Sequence, residues 1–592
     1  MGYPNISDEG YTTHLTQKVR KINILGISGW KDLQKVLPNT QSLPLHDAAS
    51  TLIIDGTISG IAEEERFTRL KHSYNTFPLN AAAYCLSNAG LTLDDIDLVA
   101  VYWDMPYSAR LKGENWRYTN REILDLIFPR EIFGHKQEPK VEFVNHHFAH
   151  AVSAYSCSNF EKALVLVLDG QGENASTTIW VGENGHLTKL REMDSAVSLG
   201  YFYESLTEYI GLESNEPGKT MGLAPYGKPF LNASDFFKIE DGLIRLLHPA
   251  TINMKSEFDE QKQVREYWFR QFAQIIAKPN KSMTQYDVRT AQLSRLVGFD
   301  EAYVNLAASG QKILEEVVLQ LIEWGIENTG IDRVCIAGGV GLNCVMNGKI
   351  LSSPKVRELF IQPIAHDAGA ALGSAISVCD EWKKQFSHIY LGPEFNHSEI
   401  ESMLKEFKLK YDFAGDIEER IAEKLSEGFL VGWFQGRMEV GPRALGNRSI
   451  LANPVLPDAK DRVNKYVKFR ENWRPFAPSI LEEYKEDFLV KAVSSPYMIL
   501  NFEVPAESRD KLKGVIHVDG TIRAQTVSKN VNPRYWKMIN HVYKKTGVPA
   551  VLNTSFNIKG EPIVCTPRDA VRTFFSCGLD YLAIENYLIQ KV

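Results

Sequence analysis

The chain has 592 residues, too many for one hydrophobic core, so its length predicts roughly three to five structural units. Hydrophobic residues make up 44% and charged residues 23%, and the net charge of -7 argues against a broad nucleic-acid-binding surface. The apolar runs are shorter than a membrane span, and the first twenty residues lack an apolar core. We therefore expect neither a membrane segment nor a signal peptide.

The seven cysteines are scattered along the chain. Their number is odd, and no two of them form a CxxC pair. This pattern indicates reduced thiols and neither a disulfide framework nor a zinc finger. We therefore expect a cytoplasmic protein with no nucleic-acid or membrane partner.

The first part of the chain predicts a strand followed by a hairpin. Residues 1–20 are polar and are expected to form an extension outside the core. The run INILGIS predicts a strand, and TLII and ISGIAEE predict two strands joined at Asp55-Gly56, a strong hairpin signal. This order resembles the opening of an actin-like or sugar-kinase fold. A helix at FPLNAAAYCLSNAG, ended by glycine, and a strand in DLVAVYWD follow.

The stretch from Val144 to Trp180 contains a candidate metal site. His146 and His150 are four residues apart, so a helix over HHFAHAVSAY would place both imidazoles on one face. The buried-strand run ALVLVLD then ends in Asp169, followed by glycine, a common place for phosphate or metal chemistry. The alternative is a capped core helix beside a sheet, and these residues alone leave both interpretations open.

The middle of the chain gives weaker signals. The segment GKTMGLAPYGKP predicts a loop carrying Lys219, a candidate ligand-binding residue, but it lacks the GxxxxGK[ST] spacing of a Walker A loop. Residues 230–281 show weak periodicity and are interpreted as a variable insert. Residues 288–329 have apolar positions at three- and four-residue steps, which predict a helix.

A second turn and a second acidic corner follow. The run DRVCIAGGVGLNCVMNGKI predicts a strand, a glycine turn and a helix, an arrangement that presents Gly338, Gly339 and Asn343 to an anion. Helix–strand packing is the simpler alternative. Asp367 then follows a strand and precedes a helix of small residues. The two acidic corners at Asp169 and Asp367 predict two similar lobes that face a cleft.

The composition changes near residues 382–393, where we place a domain boundary. Beyond it, Ile417 to Ser426 predicts an amphipathic helix and FLVGWF a strand. Basic side chains are then dense among glycines and prolines, which suits bidentate contacts to phosphate oxygens better than a solvated helix face. Surface loops are the alternative. These residues are Arg437, Arg443, Arg448, Lys465, Lys468, Arg470 and Arg474, with Arg523 in IRAQ and Ser555 in NTSFN further on.

Taken together, the motifs resemble those of the carbamoyltransferases of natural-product and nodulation-factor pathways. They cover nearly the whole chain in the family's order, and together they are highly specific. The matching segments are HDAAS, EEERFTRLKH, HHFAHA, DGQGE, GKTMGLAPYG, AGGVGLN, HDAGAALG, EVGPRALGNRSILANP, KFRENWRPFAPS, IRAQ and NTSFNIKGEPIV.

The resemblance implies an α/β protein of two domains. After the extension at 1–20, residues 21–385 are expected to form an actin/sugar-kinase-like domain of two lobes, similar to the tRNA threonylcarbamoyl transferase. Residues 394–592 are expected to form a YrdC-like α/β domain. The resemblance implies that this second domain makes carbamoyl-AMP from carbamoyl phosphate and ATP, with Mg as the companion of ATP. The first domain passes the carbamoyl group to a hydroxyl. A homodimer is compatible with the sequence, which does not fix the number of subunits.

The resemblance also implies site residues. The family's metal ligands correspond to His146, His150, Asp169 and Asp367 in this chain. They would bind Fe(II) or another divalent transition metal, and the ligand type alone does not choose among Fe(II), Mn(II) and Zn(II). The family's adenylate-forming residues correspond to Arg443, Lys468, Arg523, Asn553 and Ser555. We also expect Arg448 to bind a ligand there. His46 and Lys71 match the transfer site. His46 is the candidate base for the acceptor proton, and a structural hydrogen bond is its alternative.

The acceptor is not specified by the residues. A composition rich in Lys, Asn and Ile disfavours a GC-rich actinomycete source and favours a cyanobacterial one. The family includes the carbamoyltransferase of saxitoxin-type guanidinium alkaloids, so we rank such an acceptor first. The acidic net charge of the protein is compatible with a cationic acceptor. Other expected acceptors are sugar, aminoglycoside and macrolactam hydroxyls. Relative to the family, residues 29–45 look inserted before His46, and we expect them to shape the acceptor pocket.

Several rival functions predict different features. A hydrogenase-maturation carbamoyl transferase would carry an acylphosphatase region and CxxC zinc fingers, and the chain has no CxxC. A tRNA-modifying role would favour a basic surface, which the net charge of -7 does not suggest. An actin-like nucleotide switch would need neither the metal quartet nor the arginine-rich domain. A sugar kinase would not need carbamoyl phosphate.

Overall fold

The computed structural model describes residues 22–37, 45–249, 257–280, 300–380, 382–383, 386–471 and 473–591. The expected extension at 1–20 and part of the expected insert, residues 38–44, lie outside these ranges. No helix within the described ranges has the length and apolar character needed to cross a bilayer.

The first lobe is a five-stranded sheet with strand order β3-β2-β1-β4-β5. β1 pairs antiparallel with β2 and parallel with β4, and the predicted hairpin at Asp55-Gly56 is confirmed. The predicted helix that ends before Gly90 is also confirmed. The elements are β1 (Asn23–Ser28), β2 (Ala49–Ile54), β3 (Thr57–Glu63), α1 (Glu65–Thr68), α2 (Leu79–Asn88), β4 (Leu98–Val101), α3 (Met105–Leu111), α4 (Asn120–Ile127), α5 (Arg130–Phe133) and β5 (Lys140–Phe143).

The second lobe repeats this topology, with strand order β12-β11-β6-β7-β8. Its central strand also has an antiparallel hairpin on one side and parallel strands on the other. The prediction of two similar lobes is therefore confirmed. The elements are α6 (His146–Cys157), β6 (Lys162–Leu168), β7 (Thr177–Glu183), β8 (His186–Met193), α7 (Leu199–Tyr209), α8 (Pro217–Leu223), β9 (Phe237–Glu240), β10 (Leu243–Leu246), α9 (Glu257–Ile275), α10 (Glu301–Thr329), β11 (Arg333–Ala337), α11 (Cys344–Ser352), β12 (Glu358–Ile361) and α12 (Asp367–Ser377).

One expectation for this lobe was wrong. The segment expected to be a loop contains α8 and a 3₁₀ turn at Ala224–Tyr226. Pro217 at the first helical turn has the φ that a helix needs, and Lys219, Thr220 and Leu223 are buried, so packing outweighs the cost of the two glycines. Residues 230–281, interpreted as a variable insert, contain the β9–β10 hairpin and α9, and their being an insert stays a prediction.

The C-terminal residues form an eight-stranded sheet with order β13-β22-β21-β14-β15-β20-β16-β19. The helix predicted from Ile417 to Ser426 is confirmed, and β17 and β18 form a separate pair. The elements are α13 (His397–Glu406), β13 (Asp412–Phe413), α14 (Ile417–Ser426), β14 (Val431–Phe434), β15 (Arg448–Ala452), α15 (Ala459–Arg462), β16 (Ala477–Leu481), β17 (Phe502–Glu503), β18 (Thr521–Ile522), β19 (Gln525–Val527), α16 (Pro533–Thr546), β20 (Ala550–Ser555), α17 (Pro567–Phe575), β21 (Tyr581–Ile584) and β22 (Tyr587–Gln590).

The second lobe and the C-terminal sheet share one apolar core. Buried side chains from Leu164 to Ile350 and from Ile400 to Ile589 belong to a single contiguous cluster. Polar contacts also cross between them: Asn347 donates its amide to the Ile499 carbonyl at 2.9 Å, and the Asn501 N–H donates to the Cys344 carbonyl at 3.2 Å. Packing of this kind fixes the relative position of the sites described below.

Candidate functional site

Four side chains from three parts of the chain converge at the ends of α6, β6 and α12. The Nε2 atom of His146 lies 3.0 Å from an Asp169 oxygen and 3.9 Å from an Asp367 oxygen. The Nε2 atom of His150 lies 3.5 Å and 3.8 Å from the same two carboxylates. One ligand atom from each residue lies within 4.8 Å of the others. The structure thus brings together the two imidazoles and two carboxylates that the sequence singled out.

The local fold holds the two histidines in place. Asn145 caps α6 by accepting a hydrogen bond from the Phe148 N–H at 3.0 Å, so the helix begins at His146. The Glu173 carboxylate accepts from the His146 N–H at 3.0 Å. One helical turn separates His146 from His150, so both rings point the same way.

The electrostatics of this cluster fit a cation. Both His150 ring nitrogens and the Nδ1 of His146 are buried, and they lack a hydrogen-bond partner among the described residues. Burial acts to lower the pKa of His146, but Asp367 and Asp169 outweigh it and raise that pKa to about 9. A buried set of two imidazoles and two carboxylates with unused nitrogen atoms is the donor set of a divalent transition-metal site.

The glycine turn after β11 lies against the same corner. The Gly339 N–H donates to the Asp169 carboxylate at 3.3 Å. Gly338 has a φ of +88°, and a Cβ there would lie 2.3 Å from the Leu168 carbonyl oxygen. Asn343 caps α11 by accepting from the Met346 N–H at 3.0 Å, and its amide bonds Gln311. The turn therefore lies beside the metal-type cluster, whereas Asn343 has a capping role.

His46 lies near this cluster and Lys71 is exposed. The His46 Nδ1 is 2.9 Å from an Asp47 oxygen, and 45% of the His46 side chain is exposed. Burial acts to lower the pKa of His46, but the charges of Asp367 and Asp47 outweigh it and raise that pKa to about 10. A cation held by the carboxylates would oppose this shift. Lys71 begins a short 3₁₀ turn that contains His72.

A second group of charged side chains lies in the C-terminal half. Lys468 ends a π-helical turn, Val463–Lys468, and its ammonium donates to the Ser555 hydroxyl at 3.1 Å and the Asn557 side chain at 2.6 Å. Burial and the charges of Arg470 and Arg474 hold the pKa of Lys468 well below its usual range. π-Helical turns are frequent at functional sites.

Arg443 and Arg523 complete this cationic cluster. The Nε of each guanidinium is buried and lacks a hydrogen-bond partner within the described residues. Burial and the neighbouring Arg523 charge lower the pKa of Arg443 to about 9. Buried cations that repel one another are costly unless an anion binds between them. We define the cationic cluster as Arg443, Lys468, Arg470, Arg474 and Arg523.

Two other candidate residues, Arg448 and Lys219, have structural contacts. Arg448 is fully buried, and its guanidinium donates to backbone carbonyls of Gln435, Pro393 and Gly436, among others. Its donors are occupied, so we do not keep it as a ligand residue. Lys219 is 3% exposed, lies 3.5 Å from Glu471 and is also paired with Glu216.

Asn553 is buried beside the cationic cluster. Its amide donates to the Ala444 carbonyl at 3.0 Å and to the Ser479 hydroxyl at 3.0 Å. Its Oδ1 lacks a partner within the described residues. Asn553 therefore holds the residue that follows Arg443, so it can position that arginine.

The sequence reasoning missed two acidic residues near the metal-type cluster. Glu63 accepts from Arg66 at 2.7 Å and lies 3.2 Å from the Nε2 of His366, the residue before Asp367. Glu204 of α7 is a partly buried carboxylate whose pKa is raised to about 7, by burial first and by Asp169. The run of three glutamates in EEER was a signal for the first, because such charges at the end of a strand are rarely buried without a partner.

Comparisons with known proteins identify the same family that the sequence motifs resemble. The family models for the carbamoyltransferase N-terminus and C-terminus match residues 104–376 and 422–591. Nodulation protein NolNO of Sinorhizobium fredii is 38% identical over 591 residues, which cover 96% of this chain and 82% of that protein. Nodulation protein NolO of Bradyrhizobium diazoefficiens is 36% identical over 465 residues, 76% of this chain and 79% of that protein.

Two solved structures match at low similarity. Full-length HypF in a phosphate- and nucleotide-bound form is 12% identical, with a TM-score of 0.31 over 62% of this chain and 56% of that chain. Component A of the (R)-2-hydroxyglutaryl-CoA dehydratase of Acidaminococcus fermentans is 15% identical, with a TM-score of 0.32 over 60% of this chain and 97% of that chain.

Proposed function

Since this chain belongs to the carbamoyltransferase family and is a carbamoyltransferase, we propose that it works in two steps at the two groups of charged residues. In the first step, the cationic cluster of residues 394–592 forms carbamoyl-AMP from carbamoyl phosphate and ATP, with Mg as the companion of ATP. In the second step, residues 21–385 transfer the carbamoyl group to a hydroxyl of a small natural product. The observation that carries this proposal is that the Nε atoms of Arg443 and Arg523 are buried and lack a hydrogen-bond partner within the described residues.

The first step needs positive charge in a place that water does not screen. A carbamate has no good leaving group, and joining it to AMP supplies one. Arg443 and Arg523 would bind phosphate oxygens while carbamoyl phosphate breaks down and the carbamate attacks the α-phosphate of ATP. Lys468, whose ammonium is already bonded to Ser555 and Asn557, would supply positive charge beside them. Because Arg523 and Arg474 repel Arg443, and Arg470 and Arg474 repel Lys468, an anion that binds within the cationic cluster relieves this repulsion. The Ser555 hydroxyl, which accepts from Lys468 and donates to Asn557, lies at the same place.

The second step uses the metal-type cluster. His146, His150, Asp169 and Asp367 would hold Fe(II) or another divalent ion, and the unpartnered nitrogen atoms of His150 fit such an ion. When bound, the ion supplies a Lewis acid that polarises a carbonyl or phosphoryl oxygen. The glycine turn at Gly339 would bring backbone N–H groups toward an anionic part of the adenylate.

The acceptor hydroxyl must lose a proton during transfer. The charges of Asp367 and Asp169 raise the pKa of His46, which supports a place for His46 near the proposed transfer site. Its neutral imidazole would accept that proton. Lys71 lies one residue before His72 and is exposed, and its proposed role is to bind the adenylate or the acceptor.

The acceptor class is proposed as a small hydroxylated natural product. The partly buried Glu204 carboxylate beside the His46 charge favours an acceptor that carries positive charge. We rank a saxitoxin-type guanidinium alkaloid first, and a sugar hydroxyl second, because the relatives named above are nodulation proteins. Residues 29–45, which look inserted relative to the family, are described only in part, so their contribution to the acceptor pocket stays a proposal.

Pyrophosphate release by purified protein tests the first step without any acceptor. We expect release that requires both ATP and carbamoyl phosphate, and carbamoyl-AMP detectable by mass spectrometry. Arg443→Ala and Lys468→Ala should abolish it, whereas Arg357→Ala, a surface arginine paired with Asp332, should not. Release that is independent of carbamoyl phosphate in metal-loaded protein would contradict the mechanism.

A further inference from the structure

The Asp47 carboxylate lies between two imidazole rings. One of its oxygens is 2.9 Å from the Nδ1 of His46, and the other is 2.9 Å from the Nδ1 of His72. The Asp47 N–H also donates to the His72 carbonyl at 2.6 Å. Two segments that are 25 residues apart in sequence are therefore joined at a single carboxylate.

The backbone at this junction adopts an uncommon conformation. Asp47 has a φ of +52° and His72 a φ of +64°, in the left-handed region that residues other than glycine rarely occupy. The surrounding structure holds them there: the Ser28 hydroxyl donates to the Asp47 carbonyl at 3.0 Å, and the His72 N–H donates to Glu65 at 2.6 Å. Strain of this kind persists where the surroundings fix it, and it clusters at active sites.

The protonation of Asp47 decides which ring nitrogens carry hydrogen. Burial acts to raise the pKa of Asp47, but His366 and His46 outweigh it and hold the pKa well below its usual range. The carboxylate is therefore ionised and can only accept hydrogen bonds. Both contacts are hydrogen bonds only when the Nδ1 of each ring carries the proton. In the neutral form of His46 the lone pair then lies on Nε2.

A metal ion does not explain this arrangement. Asp47, Glu65 and His72 also approach within 4.8 Å of one another. However, both Asp47 oxygens are taken by imidazoles, and Glu65 is paired with Arg66 at 2.5 Å and with the His72 N–H. A cation here would have to break these contacts, so the cluster is built to hold the rings.

We propose that Asp47 is a positioning residue for the transfer step, which fixes His46 in the Nδ1–H tautomer with Nε2 free, and that His72 holds Asp47 in turn. This inference rests on the proposed function of His46. In the step, the acceptor hydroxyl gives its proton to the His46 Nε2, and its oxygen forms a bond to the carbamoyl carbon. The bond from that carbon to the phosphate oxygen breaks, and AMP leaves with the electron pair.

The first test is the tautomer of His46, read by ¹⁵N NMR of protein labelled at histidine. The His46 signal is identified by its loss in His46→Gln, and spectra are taken up to a pH at which the ring is neutral. We expect the Nδ1–H form in the wild type and the Nε2–H form, or a mixture, in Asp47→Asn. Asparagine tolerates a positive φ, so the substitution should preserve the backbone.

Two further variants serve as controls for the NMR test. Asp55→Asn changes an aspartate with a similar φ of +50° in the β2–β3 turn, and the His46 tautomer should not change. In His72→Gln the glutamine amide can still donate to Asp47, so Asp47 should keep its contact with His46 and the Nδ1–H form should persist. An Nε2–H wild type, or an unchanged tautomer in Asp47→Asn, would overturn the proposal whether or not the enzyme makes carbamoyl-AMP.

A double-mutant cycle separates positioning from a structural role. Two quantities are measured. The first is the carbamoyl-phosphate-dependent release of AMP, with decarbamoylsaxitoxin or water as the acceptor, and the second is the initial burst of pyrophosphate. Asp47→Asn should slow AMP release about 10²–10⁴-fold and leave the burst intact, by analogy with the loss of the correct tautomer in a serine protease triad. In a His46→Ala background the same change should cost nothing more. Equal losses in both backgrounds would refute the positioning role, and absence of the burst in the wild type would refute only the proposed function.

Discussion

The Glu63 carboxylate of the first lobe accepts a hydrogen bond from the backbone N–H of Gly441 at 3.0 Å, across 378 residues of sequence. Arg66, which pairs with Glu63, donates to the Gly441 carbonyl at 2.8 Å. Both backbone groups of Gly441 are thus held by one ion pair, two residues before Arg443. Because Glu63 also contacts His366, it connects the neighbours of the metal-type cluster and of the cationic cluster.

Replacing Glu63 should therefore destabilise the protein strongly. Glu63 and Arg66 are each 4% exposed, so Glu63→Gln leaves a buried guanidinium with less compensation. Breaking a buried pair in this way costs about 3–5 kcal/mol. Urea denaturation at neutral pH measures the loss. Glu183→Gln, which removes an exposed pair with Lys162, is the matched control and should cost at most about 1 kcal/mol.

The cost of Glu63→Gln should also depend on pH. Burial acts to raise the pKa of Glu63, but Arg66 and His366 outweigh it and lower that pKa to about 2. The unfolded chain has a glutamate pKa of about 4.3, so the stabilisation is present above that pH and is lost as the pH falls toward 2. The difference between wild type and Glu63→Gln should shrink between pH 5 and pH 3. A difference that stays constant over this range would contradict the assignment of charge.

Arg443→Met should separate stability from activity. The Nε of Arg443 lacks a partner within the described residues, and Arg523 repels it, so its removal should leave the urea midpoint unchanged or raise it. Pyrophosphate release should fall about 10²–10³-fold, the usual effect of removing one preorganised donor. Arg448→Met is the control, because Arg448 bonds backbone carbonyls and its loss should lower the midpoint instead. A large loss of stability in Arg443→Met would mean that the arginine is structural.

Metal ions should stabilise the protein through the four converging ligands. At a hundredfold excess over the dissociation constant, binding adds about 2.7 kcal/mol, seen as a higher thermal midpoint on addition of Fe(II), Mn(II) or Zn(II). His150→Ala should remove this increase. His147→Gln changes the neighbouring helix residue, which bonds Thr178 and not the cluster, so the increase should persist even if the baseline midpoint falls. An increase that survives in His150→Ala would place the ion elsewhere.

Local patterns in the sequence were enough to predict several elements. The four-residue spacing of His146 and His150, the hairpin at Asp55 and the amphipathic helix at Ile417 each depend on neighbours in the chain, and all are confirmed. The two acidic corners at Asp169 and Asp367 predicted lobes that face a cleft. The inclusion of Asp367 with the two histidines needed the resemblance, because separation in sequence says nothing about distance.

Other features depend on contacts that periodicity does not encode. α8 is helical in spite of its glycines because Leu223 and Thr220 are buried against neighbouring elements. Arg448 and Arg443 are five residues apart and look alike in the sequence, yet one is saturated by carbonyls and the other is not. The bridge from Glu63 to Gly441 joins residues so far apart that only the folded chain reveals it.

The contact between α6 and α12 gives the last prediction. A Cβ on Gly373 would lie 1.8 Å from the Ala149 carbonyl oxygen, so Gly373→Ala must push apart the helix that carries His146 and His150 and the helix that begins at Asp367. Overpacking of this kind costs about 1–3 kcal/mol. Because three of the four proposed metal ligands, His146, His150 and Asp367, lie on these two helices, the metal-dependent rise of the thermal midpoint should also shrink. Gly218→Ala in α8 is the control, since nothing lies within 4 Å of its added Cβ, and it should stabilise by up to about 1 kcal/mol. If Gly373→Ala lowers the midpoint but leaves the metal-dependent rise intact, the spacing of the two helices does not set the site.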